Sequence, residues 1–357
     1  MRSNLLIYGV TGYIGGLISR LAAAAGLPHL AAGRDLARVA AHADPLLLPG
    51  RTFSLSDPSK IDRALAGVAV VLNCAGPFAD TAGPLADACL RGGVHYLDLA
   101  GEVPELAAMR RLDARGREAG VMLLPGAGCA VVPTDALAAR LKRRLRAAVR
   151  LRLVVEATGG MSRGARLALL RHLQAPGVRR RGGELSPAWA AEQTLRIDLG
   201  GGSRLAVSDA WRGDLETAYW SSVYLDVETY AVVAAPLRWL LRSLRLPPAR
   251  PLLAGSAGQA LLRGALRRLP AGPAESALAA GVTRIWAQAE DPTGSRVTAR
   301  LRGPHADLLT AHAALWIAQR VLSGRLRVGF QTPVTAYGPD LLDRLAEDIE
   351  GVELAWE

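Results

Sequence analysis

The chain has 357 residues, half of them hydrophobic, which gives room for about two domains and a large core built mainly of Leu, Val and Ala. The best near-miss to a membrane span, Tyr230–Leu241, is interrupted by Pro236 and Arg238, and no run reaches the roughly 18 apolar residues that crossing requires. A formal charge of +11 would alone suggest nucleic acid, but all 43 basic residues except Lys60 and Lys142 are arginine, scattered apart from Arg140–Arg152 and Arg179–Arg181; that reads as codon bias and a solvated basic face.

Leu5–Val10 reads as the first strand and runs straight into Gly9, Gly12 and Gly15, spaced G-x-x-G-x-x-G, with helix Ile14–Ala25 behind them. A strand turning tightly into a helix leaves the helix's first N–H groups pointing at one spot, which attracts a phosphate. Gly9 makes the turn, Gly12 allows the close approach of a pyrophosphate, and Gly15 lets helix pack on strand. The candidate cofactor contacts are Gly9, Thr11, Gly12, Tyr13, Ile14 and Gly15. A secretory signal peptide is the competing reading, since Arg2, the apolar run and Leu21–Gly26 imitate its three regions. Glycines at regular intervals argue against it.

Strand Leu30–Ala32 and helix Asp35–Ala43 follow, at the distance a βαβ unit requires. The strand ends Gly33-Arg34-Asp35. An acidic residue there suits the ribose hydroxyls of NAD, and an arginine the extra phosphate of NADP. Arg34 comes first and Asp35 is placed to cap the next helix, so NADP is expected rather than NAD.

Thr52–Leu55 is the third strand, and Ser59–Ala66 a helix capped by Ser56 or Asp57. Val68–Asn73 is a continuous apolar strand of the kind buried on both faces. It ends in Asn73-Cys74-Ala75-Gly76-Pro77-Phe78, where small residues let the backbone touch a ribose and pyrophosphate; Asn73, Ala75, Gly76 and Pro77 are further cofactor candidates. Helix Gly83–Arg91, strand Val94–Leu99, helix Pro104–Glu118 and strand Val121–Leu124 complete the alternation. Within the fifth strand, Tyr96 and Asp98 share a face. Asp98 and Glu102, at its carboxyl end, are the candidates for orienting a nicotinamide or handling a proton; a cap and an ion pair are the plainer alternatives.

Pro125–Gly128 opens a crossover into the Arg-rich helix Thr134–Ala148, after which strand-like alternation takes over at Arg150–Val155, Thr194–Leu199, Arg204–Val207, Thr283–Ala289 and Ser295–Leu301. Ser162, among Gly159, Gly160 and Gly164, caps a candidate helix Arg166–Gln174 and is a third catalytic candidate, for holding a substrate oxygen. The stretch Tyr230–Arg245, with Trp239 among leucines and arginines, reads as a helix packed on the sheet, with a membrane contact or acyl-chain cover as the alternative. The tail Tyr337–Ile349 is amphipathic. The expected architecture is α/β: a Rossmann-type doubly wound parallel sheet over 1–129, a mostly antiparallel α+β substrate domain over 130–330, and a segment 331–357 returning to the first domain. The ligand site is expected in the cleft between the two domains, lined by Asn73–Phe78, Tyr96, Asp98, Glu102 and Ser162.

Together these stretches resemble the saccharopine dehydrogenase-like oxidoreductases, including the trans-acting enoyl reductase-like members, over nearly the whole chain. The likeness rests on Gly9–Gly15, Ala32-Gly33-Arg34, Asn73–Phe78, His95–Glu102, Val131–Asp135, Gly159–Gly164, Gly213–Leu215 with Val227–Tyr230, and Phe330–Gly338. It implies a Rossmann domain, a pyridine nucleotide and an α/β substrate domain, without a substrate. Two positions depart from the family pattern. Cys129-Ala130 replaces Phe-Asp before Val131-Val132-Pro133, which removes a carboxylate and leaves Cys129 as a weak proton donor; Gly303–Thr310 lacks the tyrosine expected before its threonine.

The expected activity is an NADP-dependent hydride transfer to or from a C=N, C=O or activated C=C bond. The alternative is a nucleotide-binding regulator or lipid-associated protein without turnover. Short-chain reductase chemistry is excluded, since it needs Tyr-x-x-x-Lys and neither lysine has a tyrosine four residues before it. Three cysteines without metal spacing and histidines without paired spacing give no metal and a reducing compartment, the cytoplasm. The expected partner is a small-molecule or acyl-type substrate, with a homodimer in reserve; nucleic acid is not expected, and a peripheral membrane contact ranks below both.

Overall fold

The strands of the first third come together in one parallel sheet, seen in a computed structural model that describes residues 4–172, 175–243 and 255–356. Its strands are β1 (Asn4–Tyr8), β2 (His29–Gly33), β3 (Gly50–Thr52), β4 (Val68–Asn73), β5 (His95–Asp98) and β6 (Met122–Leu124). They lie in the order 3-2-1-4-5-6, and Gly329–Phe330 adds a seventh beside β6. This is the doubly wound order, which reverses direction at β1. Leu5, Leu6 and Ile7 of β1 and Val70, Val71 and Leu72 of β4 are fully buried, because helices cover both faces of the sheet. Tyr8 pairs with Ala32 and Asn73, and Asn73 with Asp98, so the carboxyl ends of four strands stop at one level.

The helices of this unit are α1 (Tyr13–Ala24), α2 (Leu36–Ala43), α3 (Pro58–Ala64), α4 (Phe78–Gly92), α5 (Val103–Arg110) and α6 (Asp113–Glu118). Asp35 and Asp57 cap α2 and α3 with side-chain oxygens on backbone N–H groups. Three expectations need correction. The third strand is Gly50–Thr52, not Thr52–Leu55. The fourth helix starts at Phe78, not Gly83, and carries Pro84 inside it; its first turn is fastened by Thr81, whose hydroxyl donates to Ala75 O at 2.6 Å. The expected helix 104–118 is broken at Arg111–Leu112, because Asp113 starts a new helix while accepting from Phe330 N at 2.8 Å.

The chain divides into two units, 1–132 with 307–338 and 133–306 with 339–357. This departs from the expected boundaries 129, 330 and 331. The returning segment begins at the apolar helix Ala306–Leu322, whose Ala311, Ala313, Ala314 and Ile317 are fully buried. The last nineteen residues instead belong to the second unit. There Arg143 pairs with Asp340 at 2.8 Å, Arg140 with Asp343, and strand Glu353–Trp356 joins the sheet edge.

The second unit is built on a mixed sheet in the order Thr194–Asp198, Ser203–Ser208, Asp226–Val232, Arg150–Ala157, Val282–Glu290, Arg296–Pro304 and Glu353–Trp356. Asp226–Val232 pairs parallel with Arg150–Ala157, and the other pairs on this path are antiparallel. The expected helix Arg166–Gln174 is observed as Arg163–His172, with Gln174 outside the described residues. The stretch Tyr230–Arg245 is a strand end followed by helix Ala235–Ser243, and Arg245 likewise lies outside them.

Candidate cofactor site

β1 ends at Tyr8, and the chain must then reverse within four residues to start α1 at Tyr13. Gly9 makes that reversal at φ +96°, a conformation that disfavours any side chain. A Cβ on Gly9 would lie 2.8 Å from Ala75 N, and one on Gly15 would lie 2.3 Å from Gly9 O. The glycines therefore press α1 onto its strand and the β1 turn onto the β4 turn. Gly12 is different. Its φ of −88° is ordinary, it is exposed, and a Cβ there would meet only Gly9 O, at 3.3 Å. Gly12 is the N-cap of α1 and offers no side chain to the first N–H groups of the helix, which have no partners within it. The cradle and the open mouth suit a phosphate.

β2 ends one residue before Arg34, which is exposed beside the turn. Asp35 accepts from Arg38 N at 3.0 Å, so its carboxylate is held by the cap of α2. Arg38 lies one helical turn beyond Arg34, and its guanidinium donates to Thr11 O at 2.8 Å, inside the glycine loop. Sequence reasoning missed Arg38. Its partner is a backbone carbonyl, which leaves no signal in the residue pattern.

A chain of hydrogen bonds ties the next two strand ends together. Asn73 Oδ1 accepts from Ala75 N at 3.0 Å, while its Nδ2 donates to Thr81 Oγ1 at 3.2 Å and to Tyr96 Oη at 3.1 Å. Tyr96 Oη donates to Asp98 Oδ2 at 2.9 Å, and Asp98 Oδ1 accepts from Ala100 N at 2.9 Å and Gly126 N at 3.1 Å. Tyr96 and Asp98 thus share a face, as alternation required. Asn73, Tyr96 and Asp98 are buried, whereas Ala75 is half-buried and Gly76 and Pro77 exposed. Burial pushes the Asp98 carboxyl up to about 6, against its three hydrogen bonds, and burial raises the Tyr96 phenol well above its usual range.

Glu102 is the half-buried N-cap residue of α5, and its Oε2 accepts from Gly101 N at 2.9 Å. Cys129 is buried, and its N–H donates to Thr310 Oγ1 at 3.1 Å. Ser162 belongs to the second unit, where its buried hydroxyl accepts from Ala165 N at 3.3 Å at the start of helix Arg163–His172. The first unit thus brings together Gly9–Gly15, Arg34, Asn73–Pro77 and Asp98, and Ser162 stands in the other.

Residues 5–124 match the family model of the saccharopine dehydrogenase NADP binding domain. Over those residues the chain is similar to that domain. That model is described as NADP-binding, and the residues it matches include each candidate cofactor residue named above. A saccharopine dehydrogenase-like oxidoreductase of Homo sapiens is 27% identical over 153 residues, 37% of this chain and 35% of that protein. A Mycobacterium tuberculosis protein described as a trans-acting enoyl reductase is 31% identical over 142 residues, 37% of this chain and 33% of that one. The chain therefore spans about a third of the length of these relatives. Apo saccharopine dehydrogenase (L-Glu forming) of Saccharomyces cerevisiae has the same fold, with a TM-score of 0.68 at 14% identity over 99% of this chain and 100% of that one. Among the described residues no helix is long and apolar enough to cross a membrane.

Proposed function

We propose that the chain is an NADP-dependent saccharopine dehydrogenase-like oxidoreductase, moving a hydride to or from a C=N, C=O or activated C=C bond of a small-molecule or acyl-type substrate. The observation that carries this reading is the glycine cradle with Arg34 and Arg38 beside it, while Asp35 is tied into a helix cap. The residues fit the cofactor. The N–H groups around Thr11–Ile14 would hold the pyrophosphate, Arg34 the 2′-phosphate, and the small residues Ala75–Pro77 the ribose on the far side of the turn. When bound, NADPH supplies or NADP accepts the hydride.

Asp98 and Glu102 stand at the carboxyl end of β5, where ligands of such sheets bind. Asp98, with both oxygens already accepting hydrogen bonds, fixes the loops that face the nicotinamide. Glu102 is the carboxylate for proton transfer, and Ser162 holds a substrate oxygen. Three buried free cysteines support a reducing compartment, the cytoplasm. The test is titration of NADPH into the purified chain and its Gly12→Val variant, read by nucleotide fluorescence. Saturable binding to the wild type and loss of it in a variant with unchanged circular dichroism support the proposal. No binding to the wild type, or normal binding to the variant, contradicts it.

A further inference from the structure

The surplus positive charge is not spread over the chain. Residues 157–183 and 229–274 contain no Asp or Glu and hold six and seven arginines respectively, together more than the whole formal surplus of +11. Described helices of the two stretches meet in the second unit. Helix Arg163–His172 lies against helix Ser256–Arg268: the Arg163 guanidinium donates to Leu269 O at 2.8 Å, that of Arg166 to Pro270 O, and Gln259 to Leu170 O at 3.3 Å. Helix Ala235–Ser243 joins them through a shared cluster that includes Leu170, Trp211, Leu241, Leu237, Leu262 and Leu266.

Each of the last two helices turns leucines into that cluster and leaves other apolar side chains outside. Trp239 is 67% exposed and Leu261 76%, and Leu269 follows directly after the second helix at 44%. On the same helices, Arg238, Arg242, Arg263 and Arg268 have no carboxylate partner among the described residues. The strand arginines differ: Arg179, Arg180 and Arg181 pair with Glu192, Glu216 and Glu228. An exposed Trp and arginines without a described carboxylate partner, on short amphipathic helices, match what lies in the plane of a bilayer interface. The indole sits at headgroup level, leucine enters the acyl boundary, and guanidinium groups reach the phosphates.

We propose that this acid-free helical face docks the protein on an anionic phospholipid surface. A second copy of the chain would bring the same positive face and be repelled, whereas a layer of lipid phosphates is complementary. The inference is independent of the cofactor reading.

Cosedimentation of the full chain with vesicles tests it, comparing phosphatidylcholine alone with phosphatidylcholine containing about 30% phosphatidylglycerol. Partition onto the anionic vesicles should be roughly tenfold stronger and weaken as salt rises. The double variant Arg263→Gln, Arg268→Gln should lose several-fold of that partition, and Trp239→Phe should abolish most of the lipid-induced blue shift in tryptophan emission. Both variants alter exposed helix positions and leave the fold intact. Equal partition on the two vesicle types, no partition on either, a blue shift retained in Trp239→Phe, or binding to a single-stranded oligonucleotide with none to vesicles would each overturn the proposal.

Discussion

Arg34 and Asp35 stand side by side at the end of β2 and have opposite fates. The carboxylate is drawn into the cap of α2, and the guanidinium stays in solvent beside the glycine turn. Arg38 adds a second cation that holds the loop through Thr11 O. Arg38→Ala should weaken NADPH binding by about 1–2 kcal/mol, the worth of one charged hydrogen bond, without changing thermal stability beyond the scatter of surface substitutions; isothermal titration that finds no change would remove Arg38 from the site. Asp98 carries a pH signature. Its carboxyl rises to about 6 in the folded chain from an unfolded value near 3.8, so the folded state binds the extra proton between those values. Stability should therefore fall as pH rises through that window, by up to roughly 3 kcal/mol from this group. Urea unfolding of wild type and Asp98→Asn from pH 4 to 7 should show the difference between them changing with that slope; parallel curves would contradict it. At this scale the sequence could offer Gly9, Gly12, Gly15, Arg34 and Asp98 as candidates, because each lies at a strand end or in the turn and helix start just after one. Arg38 and Thr81 were missed because their partners, Thr11 O and Ala75 O, are backbone atoms that no residue pattern announces.

Strands β1, β2, β4 and β5 could be read to within two residues at each end, because buried parallel strands are continuous apolar runs between glycines. Helix starts were harder. Gly83-Pro84 imitates a helix N-terminus, yet α4 already runs from Phe78 and carries the proline within it. The break between α5 and α6 is set by Asp113, which faces Arg117 on its own helix and Phe330 far along the chain. Gly329–Phe330, too short to show alternation, becomes a strand because β6 offers it an edge. Asp113→Ala should release both contacts and cost roughly 1–3 kcal/mol in chemical denaturation, with faster hydrogen exchange at Phe330 N–H. Unchanged stability and exchange would mean the strand is held by β6 alone.

Across the whole molecule, the alternating first third pointed to a dinucleotide fold, and residues 5–124 match such a domain. The domain boundary was less legible. An apolar helix such as Ala306–Leu322 must be buried, but its sequence does not say in which unit; likewise the tail after Pro339 is fixed in the second unit by Arg140 and Arg143, two hundred residues earlier. Charge was misread for a related reason. The arginines looked scattered when counted residue by residue, and their concentration shows only where acids are missing over long stretches. The turn between β1 and α1 is proposed to bind a dinucleotide carrying a 2′-phosphate. The most direct measurement is the ratio of NADPH to NADH affinity in the wild type and in Arg34→Ala. A clear preference for NADPH is expected, falling by about 1–3 kcal/mol in the variant while NADH binding is unchanged. Equal affinities in the wild type, or a preference that survives the substitution, would contradict it.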